Sequence, residues 1–238
     1  MHKKIVLVVP CFNEAGRIEM PAFSAAGANV GFVFVDDGSR DNTVAVIDAG
    51  KSADAKVIRL PRNCGKAEAV RQGMLYIAAH PEEFLGVEMV GFWDADLATP
   101  LAELSGLVNE LAESSGKLDA VLGSRVKRLG AKINRSTKRH ILGRLFATIA
   151  DTLLGLAAYD TQCGAKLFRA EVLSKAFSEP FVSRWVFDLE IILRLGSDRI
   201  SEHALANWQD VRGSKLNIPM ASIRILRDLW VIKRRYKV

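Results

Sequence analysis

The chain has 238 residues, of which 49% are hydrophobic, so it can bury a full core within one α/β domain. Lysines and arginines number 33 against 27 acids, and the pI near 9.3 favours anionic partners: phosphorylated metabolites, nucleic acid or an acidic membrane surface. The scattered cysteines and histidines indicate neither a disulfide framework nor a zinc site. With no apolar stretch near ~20 residues and no signal-peptide pattern, we expect a cytoplasmic protein without a membrane span.

Five short apolar runs in the first part of the chain have the length and β-branched content of buried strands. They lie at residues 5–10, 31–35, 56–60, 87–93 and 119–123. Helical periodicity lies between them, at residues 63–79 and around 101–111. This βαβ alternation predicts an α/β fold, a Rossmann-like domain whose central, mostly parallel sheet is flanked by helices.

The second part of the chain has longer helical patterns and fewer strands. We predict helices at residues 134–156 and 185–195, and strands at 164–168 and 203–208. A last amphipathic helix, at about residues 219–237, carries apolar side chains on one side and arginines on the other. Because no repeat or linker divides the chain, residues 1–238 are predicted to form one domain.

Two carboxylates follow the strand predicted at residues 87–93. Asp94 and Asp96 are one residue apart, so in extended backbone both would project to the same side at the carboxyl end of a sheet strand. A divalent cation such as Mg²⁺ or Mn²⁺ relieves their repulsion, because hard cations prefer oxygen ligands and share them with substrate phosphates. By itself, however, this pattern is more often a solvated turn.

Seven motifs stand in order along the chain: VVPCFNE (residues 8–14), DDGSRDNT (36–43), NCGKAEAVRQG (63–73), DADLATP (94–100), GSR (123–125), DTQCGAKLF (160–168) and RWVFDLE (184–190). Together they resemble the inverting family-two glycosyltransferases of the GT-A fold, over nearly the whole chain. With NWQDVRGSKL (207–216), they most resemble the dolichyl-phosphate glucose and mannose synthases. The resemblance implies transfer of a hexose, glucose before mannose, from UDP-glucose or GDP-mannose to a polyprenyl or dolichyl-type phosphate.

The resemblance also implies how the donor would be held. A Mg²⁺ or Mn²⁺ ion would bind chiefly to Asp96, assisted by Asp94, and neutralise the leaving diphosphate. Lys66, at a helix start, would meet the diphosphate or the sugar, whereas Asp36 is expected to brace its turn. The base and ribose would be held by Pro10, Phe12, Glu14 and Asp37.

Two positions depart from the motifs of the family. Ala98 stands where the mannose synthases carry a metal-binding glutamine, which leaves the third metal ligand unassigned. Ala165 replaces the usual aromatic residue of the motif at 160–168.

The role of Asp188 depends on the acceptor. It stands where many inverting relatives place their catalytic carboxylate, and it would act as general base if the acceptor were a saccharide hydroxyl of a cell-envelope polysaccharide. A phosphate acceptor is already ionised and needs cations instead, with Arg125 and Arg212 foremost. The cations predicted for this task are Arg125, Arg139, Arg212 and Lys215.

Other classes of protein fit less well. The first strand is not followed by the glycine-rich turn of a nicotinamide-binding enzyme, and Gly65-Lys66 lacks the spacing of a phosphate loop. A nucleic-acid-binding module is disfavoured, because its basic residues lack an aromatic stacking platform. The amphipathic helix at 219–237 instead predicts peripheral contact with an anionic membrane surface, or with a membrane-protein partner, on the cytoplasmic face.

Overall fold

The computed structural model describes residues 4–211 and 218–238. Within these residues the strands are β1 (Ile5–Cys11), β2 (Val30–Asp36), β3 (Lys56–Arg59), β4 (Met89–Trp93), β5 (Ala120–Ser124), β6 (Lys132–Asn134), β7 (Ala165–Arg169), β8 (Ile200–Ala204) and β9 (Asn207–Gln209). The α-helices are α1 (Met20–Ser24), α2 (Thr43–Gly50), α3 (Lys66–Ala79), α4 (Leu104–Glu113), α5 (Thr137–Leu154), α6 (Leu173–Phe177), α7 (Phe187–Leu195) and α8 (Ile218–Tyr236).

Seven of these strands form the central sheet, in the order β3-β2-β1-β4-β7-β5-β8. β7 runs antiparallel to β4 and β5, whereas the other neighbours pair in parallel. Because β1 is central and parallel to both β2 and β4, their carboxyl ends meet at one edge of the sheet, where such folds hold ligands. The predicted mostly parallel α/β fold is confirmed.

The apolar strands are buried on both faces of the sheet. Along β1, Val6 and Val8 point into one core cluster, whereas Leu7 and Val9 point into the other, as the alternation of a strand requires. Helices α3, α6, α7 and α8 cover the first face, and α1, α2 and α4 cover the second. Burial on both faces explains why these strands read as continuous apolar runs.

One predicted strand was wrong. Residues 203–208 form no single element: β8 ends at Ala204 in the central sheet, and β9 pairs with β6 in a separate two-stranded sheet. Leu205, which follows β8 in the sequence, is also buried. Its apolar side chain therefore continued the strand-like apolar pattern across the break between β8 and β9. Strand β6 was not predicted, because in its three residues only Ile133 is buried.

Helix α8 is present where the sequence predicted it, but its apolar stripe divides between two environments. Leu229 and Ile232 are fully buried in the core, with Ile225 and Tyr236 packed beside them. Of the described apolar side chains of the stripe, Leu226 and Trp230 are the ones left exposed to meet a membrane. Among the described residues, no helix is both long and apolar enough to cross a membrane.

Candidate functional site

A cleft of about 550 Å³ lies at the carboxyl ends of β1, β2 and β3. It is lined by Phe12 from the segment after β1 and by Asp36 at the end of β2. The remaining lining residues are Asn13, Gly38, Ser39, Arg40, Arg59, Leu60, Pro61, Arg62 and Asn63. An open pocket with arginines around its wall suits an anionic nucleotide.

The other residues predicted to hold the donor base and ribose lie beside this cleft. Pro10 is half-buried in β1, opposite Val35 of β2. Glu14 is fixed from two directions: its backbone N–H donates to Thr43 Oγ1 at 2.7 Å, and its carboxylate pairs with Arg17. The structure thus brings Pro10 and Glu14 to the sheet edge that carries Phe12.

The two aspartates after β2 have different partners. Asp36 accepts the backbone N–H of Ser39 at 3.1 Å, so it braces the turn as predicted. Asp37 accepts the backbone N–H groups of Cys64 and Gly65 at 2.6 and 2.8 Å. Burial raises the pKa of Asp37 despite these two hydrogen bonds. Asp37 therefore anchors the segment that leads into α3.

Arg184 holds the same segment from the opposite side. Its Nε donates to the carbonyl of Cys64 at 2.7 Å, and its Nη2 donates to Oδ1 of Asn63 at 2.8 Å. Gly65 has φ of +96°, and a Cβ there would lie 2.6 Å from Arg184 Nε, so only glycine fits. Asp37 and Arg184 thus clamp the backbone immediately before Lys66.

Lys66 and the Asp-x-Asp pair meet at the end of β4. The ammonium of Lys66 lies 2.5 Å from Asp94 Oδ1. Burial alone would lower the pKa of Lys66, but the charges of Asp94, Asp188 and Asp96 raise it above the ordinary lysine value. Lys66 is therefore paired with Asp94, and the charges of Asp96 and Asp188 add to the stabilisation of its ammonium.

Asp94 and Asp96 do not continue the strand as an extended segment. β4 ends at Trp93, and the chain turns through Leu97, which has φ of +48° and donates its N–H to the carbonyl of Asp94. Burial, and then the charge of Asp94, raise the pKa of Asp96. The hard oxygen atoms of the two carboxylates suit Mg²⁺ or Mn²⁺.

A site with these two carboxylates would take its other ligands from solvent and substrate. Over residues 4–211 and 218–238, the side chains described include no group of three histidines, cysteines or acids that could hold a metal ion. A divalent cation at Asp94 and Asp96 fits this set, because Mg²⁺ is commonly held by one or two carboxylates together with waters and substrate phosphates.

Asp188 lies in the first turn of α7 and is 5% exposed. Lys166, which is fully buried, pairs with its Oδ1 at 2.7 Å, and Gln162 donates to its Oδ2 at 3.2 Å. Lys166 also donates to the carbonyl of Thr161 at 3.0 Å. The motif at 160–168 therefore holds the carboxylate of the motif at 184–190.

Arg125 has a buried partner that the sequence analysis did not identify. Its Nε and Nη2 donate to the two oxygens of Asp160 at 2.6 and 2.7 Å, and its guanidinium lies 5.3 Å from the ring of Trp208. Burial would raise the pKa of Asp160, but Arg125 lowers it to about 2. Arg125 therefore enters the site as one half of a neutral pair.

Three further cations were predicted to bind the acceptor phosphate. Arg212 and Lys215 lie outside the described residues, as does the side chain of Arg139. Conversely, sequence reasoning assigned no role to four residues that organise the site, namely Asp160, Gln162, Lys166 and Arg184. All four stand inside motifs that were recognised, which was the only signal available for them.

Comparison with solved structures agrees with the architecture of the central sheet and its flanking helices. The fold resembles glucosyl-3-phosphoglycerate synthase from Mycobacterium tuberculosis, solved with Mn²⁺, UDP-glucose and phosphoglyceric acid, with a TM-score of 0.72 and 18% identity over 99% of this chain and 80% of that one. The molecule therefore has the GT-A fold.

The family model for glycosyl transferase family 2 matches residues 6–177, and the chain belongs to this family. It is 31% identical to the dolichyl-phosphate beta-glucosyltransferase of Saccharomyces cerevisiae, over 97% of this chain and 74% of the relative. The human dolichyl-phosphate beta-glucosyltransferase is 32% identical, over 98% and 76%. The family resemblance found in the motifs is thereby confirmed.

Proposed function

We propose that this enzyme transfers glucose from a nucleotide-diphosphate sugar to a polyprenyl or dolichyl-type phosphate, with inversion at the anomeric carbon and with a divalent cation. The observation that carries the proposal is the meeting of Asp94, Asp96 and Lys66 beside the arginine-lined cleft. The names of the dolichyl-phosphate beta-glucosyltransferases that match this chain favour glucose as the transferred sugar. The donors proposed are UDP-glucose or, next, GDP-mannose.

The donor half of the reaction follows from the charges at this edge of the sheet. Asp94 and Asp96 would hold Mg²⁺ or Mn²⁺, which would neutralise the charge that develops on the leaving diphosphate. Phe12 and Asp37 would bind the nucleoside, together with Pro10 and Glu14. Lys66, at the first position of α3, would approach the diphosphate, where helix N–H groups also favour an anion.

The acceptor half favours a phosphate. Both oxygens of Asp188 already receive hydrogen bonds or an ion pair, from Gln162 and from Lys166. An ionised phosphate attacks without giving up a proton, so it needs no general base. Asp188 would then fix the geometry of the attacking side, with Arg125, Arg139, Arg212 and Lys215 as the cations proposed for the acceptor phosphate.

The alternative is a saccharide hydroxyl as acceptor, as in cell-envelope polysaccharide synthesis. Asp188 would then have to accept the hydroxyl proton. Its carboxylate would need either to break the ion pair with Lys166 or to accept the proton while the pair is kept. A nucleic-acid partner has no support in the cleft, because carboxylates at the strand ends would repel phosphates without a metal.

A lipid-linked acceptor implies work at the cytoplasmic face of a membrane, either directly or through a membrane-protein partner. Residues 125–145 contain eight of the chain's 33 basic residues and none of its 27 acids. The rest of the chain has 25 basic residues against the same 27 acids, so the positive charge is concentrated here. Leu129, which lies within this stretch next to Arg128, is 99% exposed. Basic residues around an exposed apolar side chain suit an anionic lipid surface.

The test is transfer with defined substrates. UDP-glucose or GDP-mannose is supplied with Mn²⁺ or Mg²⁺ and either undecaprenyl phosphate in liposomes or a water-soluble saccharide. We expect chelator-sensitive glucose transfer to the lipid and a β-linkage by NMR. An α-linked product would refute inversion. Efficient transfer to the saccharide alone would refute the phosphate acceptor and return Asp188 to the role of general base.

A further inference from the structure

Both carboxylate oxygens of Asp94 have close neighbours, although the side chain is 37% exposed. Lys66 Nζ lies 2.5 Å from Oδ1. The other oxygen lies so close to the backbone of Gly164 that a Cβ added to this glycine would overlap Oδ2. The position of Asp94 is also fixed along the main chain, because its N–H donates to the carbonyl of Gly164 at 3.0 Å. These contacts hold the carboxylate of Asp94 between Lys66 and Gly164.

This packing determines how a divalent cation can reach the site. Gly164 crowds Oδ2, and Lys66 is paired with Oδ1, so a divalent cation held by Asp94 and Asp96 would meet both neighbours at Asp94. An ammonium group and a divalent ion on the same oxygen would repel each other strongly at such short distance. The ammonium of Lys66 would therefore compete with the metal for Asp94.

We propose that Lys66 is an internal counter-ion of Asp94 that the divalent cation displaces, and that the donor diphosphate receives the displaced ammonium. The inference rests on the metal site of the proposed function and adds a coupling to it. Metal binding frees the ammonium for the diphosphate, and the diphosphate draws it away from Asp94. Each ligand thus favours the other through one side chain, and the coupling must be equal in both directions.

The surroundings of Lys66 suit a moving side chain on a fixed backbone. Asp37 and Arg184 hold the peptide groups of Cys64 and Gly65 just before it. The side chain itself is 34% exposed, and its ammonium lies 5.6 Å from the ring of Phe92. Because Lys66 is the first residue of α3, its ammonium needs only a change of side-chain torsions to reach an anion at the helix start.

The experiment measures Mn²⁺ affinity by electron paramagnetic resonance, with and without UDP, for the wild type, Lys66→Met and Lys117→Met. Lys117 is an exposed lysine in the turn before β5, so its loss changes net charge equally. Without UDP, we expect Lys66→Met to bind Mn²⁺ about five- to tenfold tighter than the wild type. With UDP, Lys66→Met should bind Mn²⁺ no tighter than the wild type, and Lys117→Met should follow the wild type throughout.

Three other outcomes would each contradict the proposal. Equal Mn²⁺ affinity of the wild type and Lys66→Met without UDP overturns the counter-ion role. Tighter binding by Lys66→Met both with and without UDP indicates simple repulsion and also overturns it. If the wild type binds UDP but binds no Mn²⁺ under either condition, the metal site of the proposed function fails as well. Lys66→Gln, checked by circular dichroism, serves as a second variant if Lys66→Met does not fold.

Discussion

Lys166 and Asp188 form a buried ion pair, with 2.7 Å between Nζ and Oδ1, beneath the carboxylates at the end of β4. Lys166 is fully buried and its ammonium also lies 5.2 Å from the ring of Phe92, the residue before Trp93 at the end of that strand. The pair joins the strand β7 to the helix α7, and so fixes Asp188 relative to the donor side of the site.

Removing the ammonium should destabilise the protein. Lys166→Met leaves Asp188 charged, buried and short of a partner, and we expect a loss of about 3 kcal/mol in the free energy of unfolding. Urea unfolding measures this. The double variant Lys166→Met with Asp188→Asn should regain part of the lost free energy of unfolding, because the unpaired charge is gone. Unfolding of Lys166→Met at the wild-type urea concentration would mean that the pair contributes nothing to stability.

The pair between Arg125 and Asp160 predicts a pH dependence. The folded pKa of Asp160 is about 2, below the ~3.9 of an unfolded aspartate. Its contribution to stability is therefore complete above about pH 4 and is lost as the pH falls toward 2. Asp160→Asn should lower stability at pH 7 by about 3 kcal/mol, because it leaves Arg125 buried without its partner.

Urea unfolding between pH 7 and pH 3 checks this prediction. The difference between the wild type and Asp160→Asn should stay constant down to about pH 4 and then shrink. A difference that grows with acid would show that Asp160 carries a proton in the folded protein at neutral pH.

Arg184 should act on nucleotide binding through the backbone. Arg184→Ala frees the carbonyls of Asn63 and Cys64, so we expect UDP to bind about fivefold more weakly and the amides of Cys64 and Gly65 to exchange faster. Arg184→Lys keeps the charge but cannot reach both carbonyls. Its UDP affinity and its amide exchange rates should therefore lie between those of the wild type and those of Arg184→Ala. Calorimetry and hydrogen exchange measure the two effects. Unchanged exchange in Arg184→Ala would mean that Asp37 alone holds the segment.

Asp96 should control metal-dependent nucleotide binding. In Asp96→Asn the site loses a charged oxygen ligand, and UDP affinity in Mn²⁺ should fall at least about tenfold while the fold is retained. Asp198→Asn, at an exposed carboxylate far along the chain, is the matched control. UDP titrations with and without chelator measure this. If Asp96→Asn still binds UDP as the wild type does in both conditions, the assignment of the metal to Asp96 is wrong.

The sequence predicted what depends on local pattern. Runs of β-branched residues located β1 to β5, and the position of Asp94 and Asp96 after β4 identified the metal site as a hypothesis. The antiparallel direction of β7 was not predictable in this way, because the order and direction of strands depend on packing between distant segments. Lys166 was missed for the same reason: its partner Asp188 lies on another element of the fold.

Helix α8 illustrates the limit for surfaces. Helical periodicity located its apolar side, but periodicity is the same whether that side meets the protein core or a lipid surface. Leu229 and Ile232 meet the core, whereas Leu226 and Trp230 are more than half exposed. Arg184 is a second case, since its contacts with Asn63 and Cys64 join residues about 120 positions apart.

The last prediction distinguishes two candidate membrane surfaces. On α8, the exposed Trp230 and Leu226 stand beside arginines, whereas Leu229 and Ile232 are buried and Ile225 and Tyr236 are partly buried. In the 125–145 stretch, Leu129 is almost completely exposed between basic residues, and Ile141, Leu142 and Leu145 of α5 are exposed as well. Among the described side chains, the second stretch therefore has more exposed large apolar residues than α8, together with an excess of positive charge.

Lys127→Glu with Arg128→Glu reverses two exposed charges next to Leu129, and Arg227→Glu with Arg234→Glu makes the same change on α8. Since a basic residue near an anionic surface contributes about 1 kcal/mol, we expect the first variant to bind phosphatidylserine liposomes at least about tenfold more weakly. The α8 variant should lose less, and both should keep wild-type UDP affinity.

Liposome flotation at two salt concentrations measures this, because the difference should shrink as salt screens the charges. A larger loss for the α8 variant would assign the membrane contact to α8, and equal binding by all three proteins would favour a membrane-protein partner over direct lipid contact.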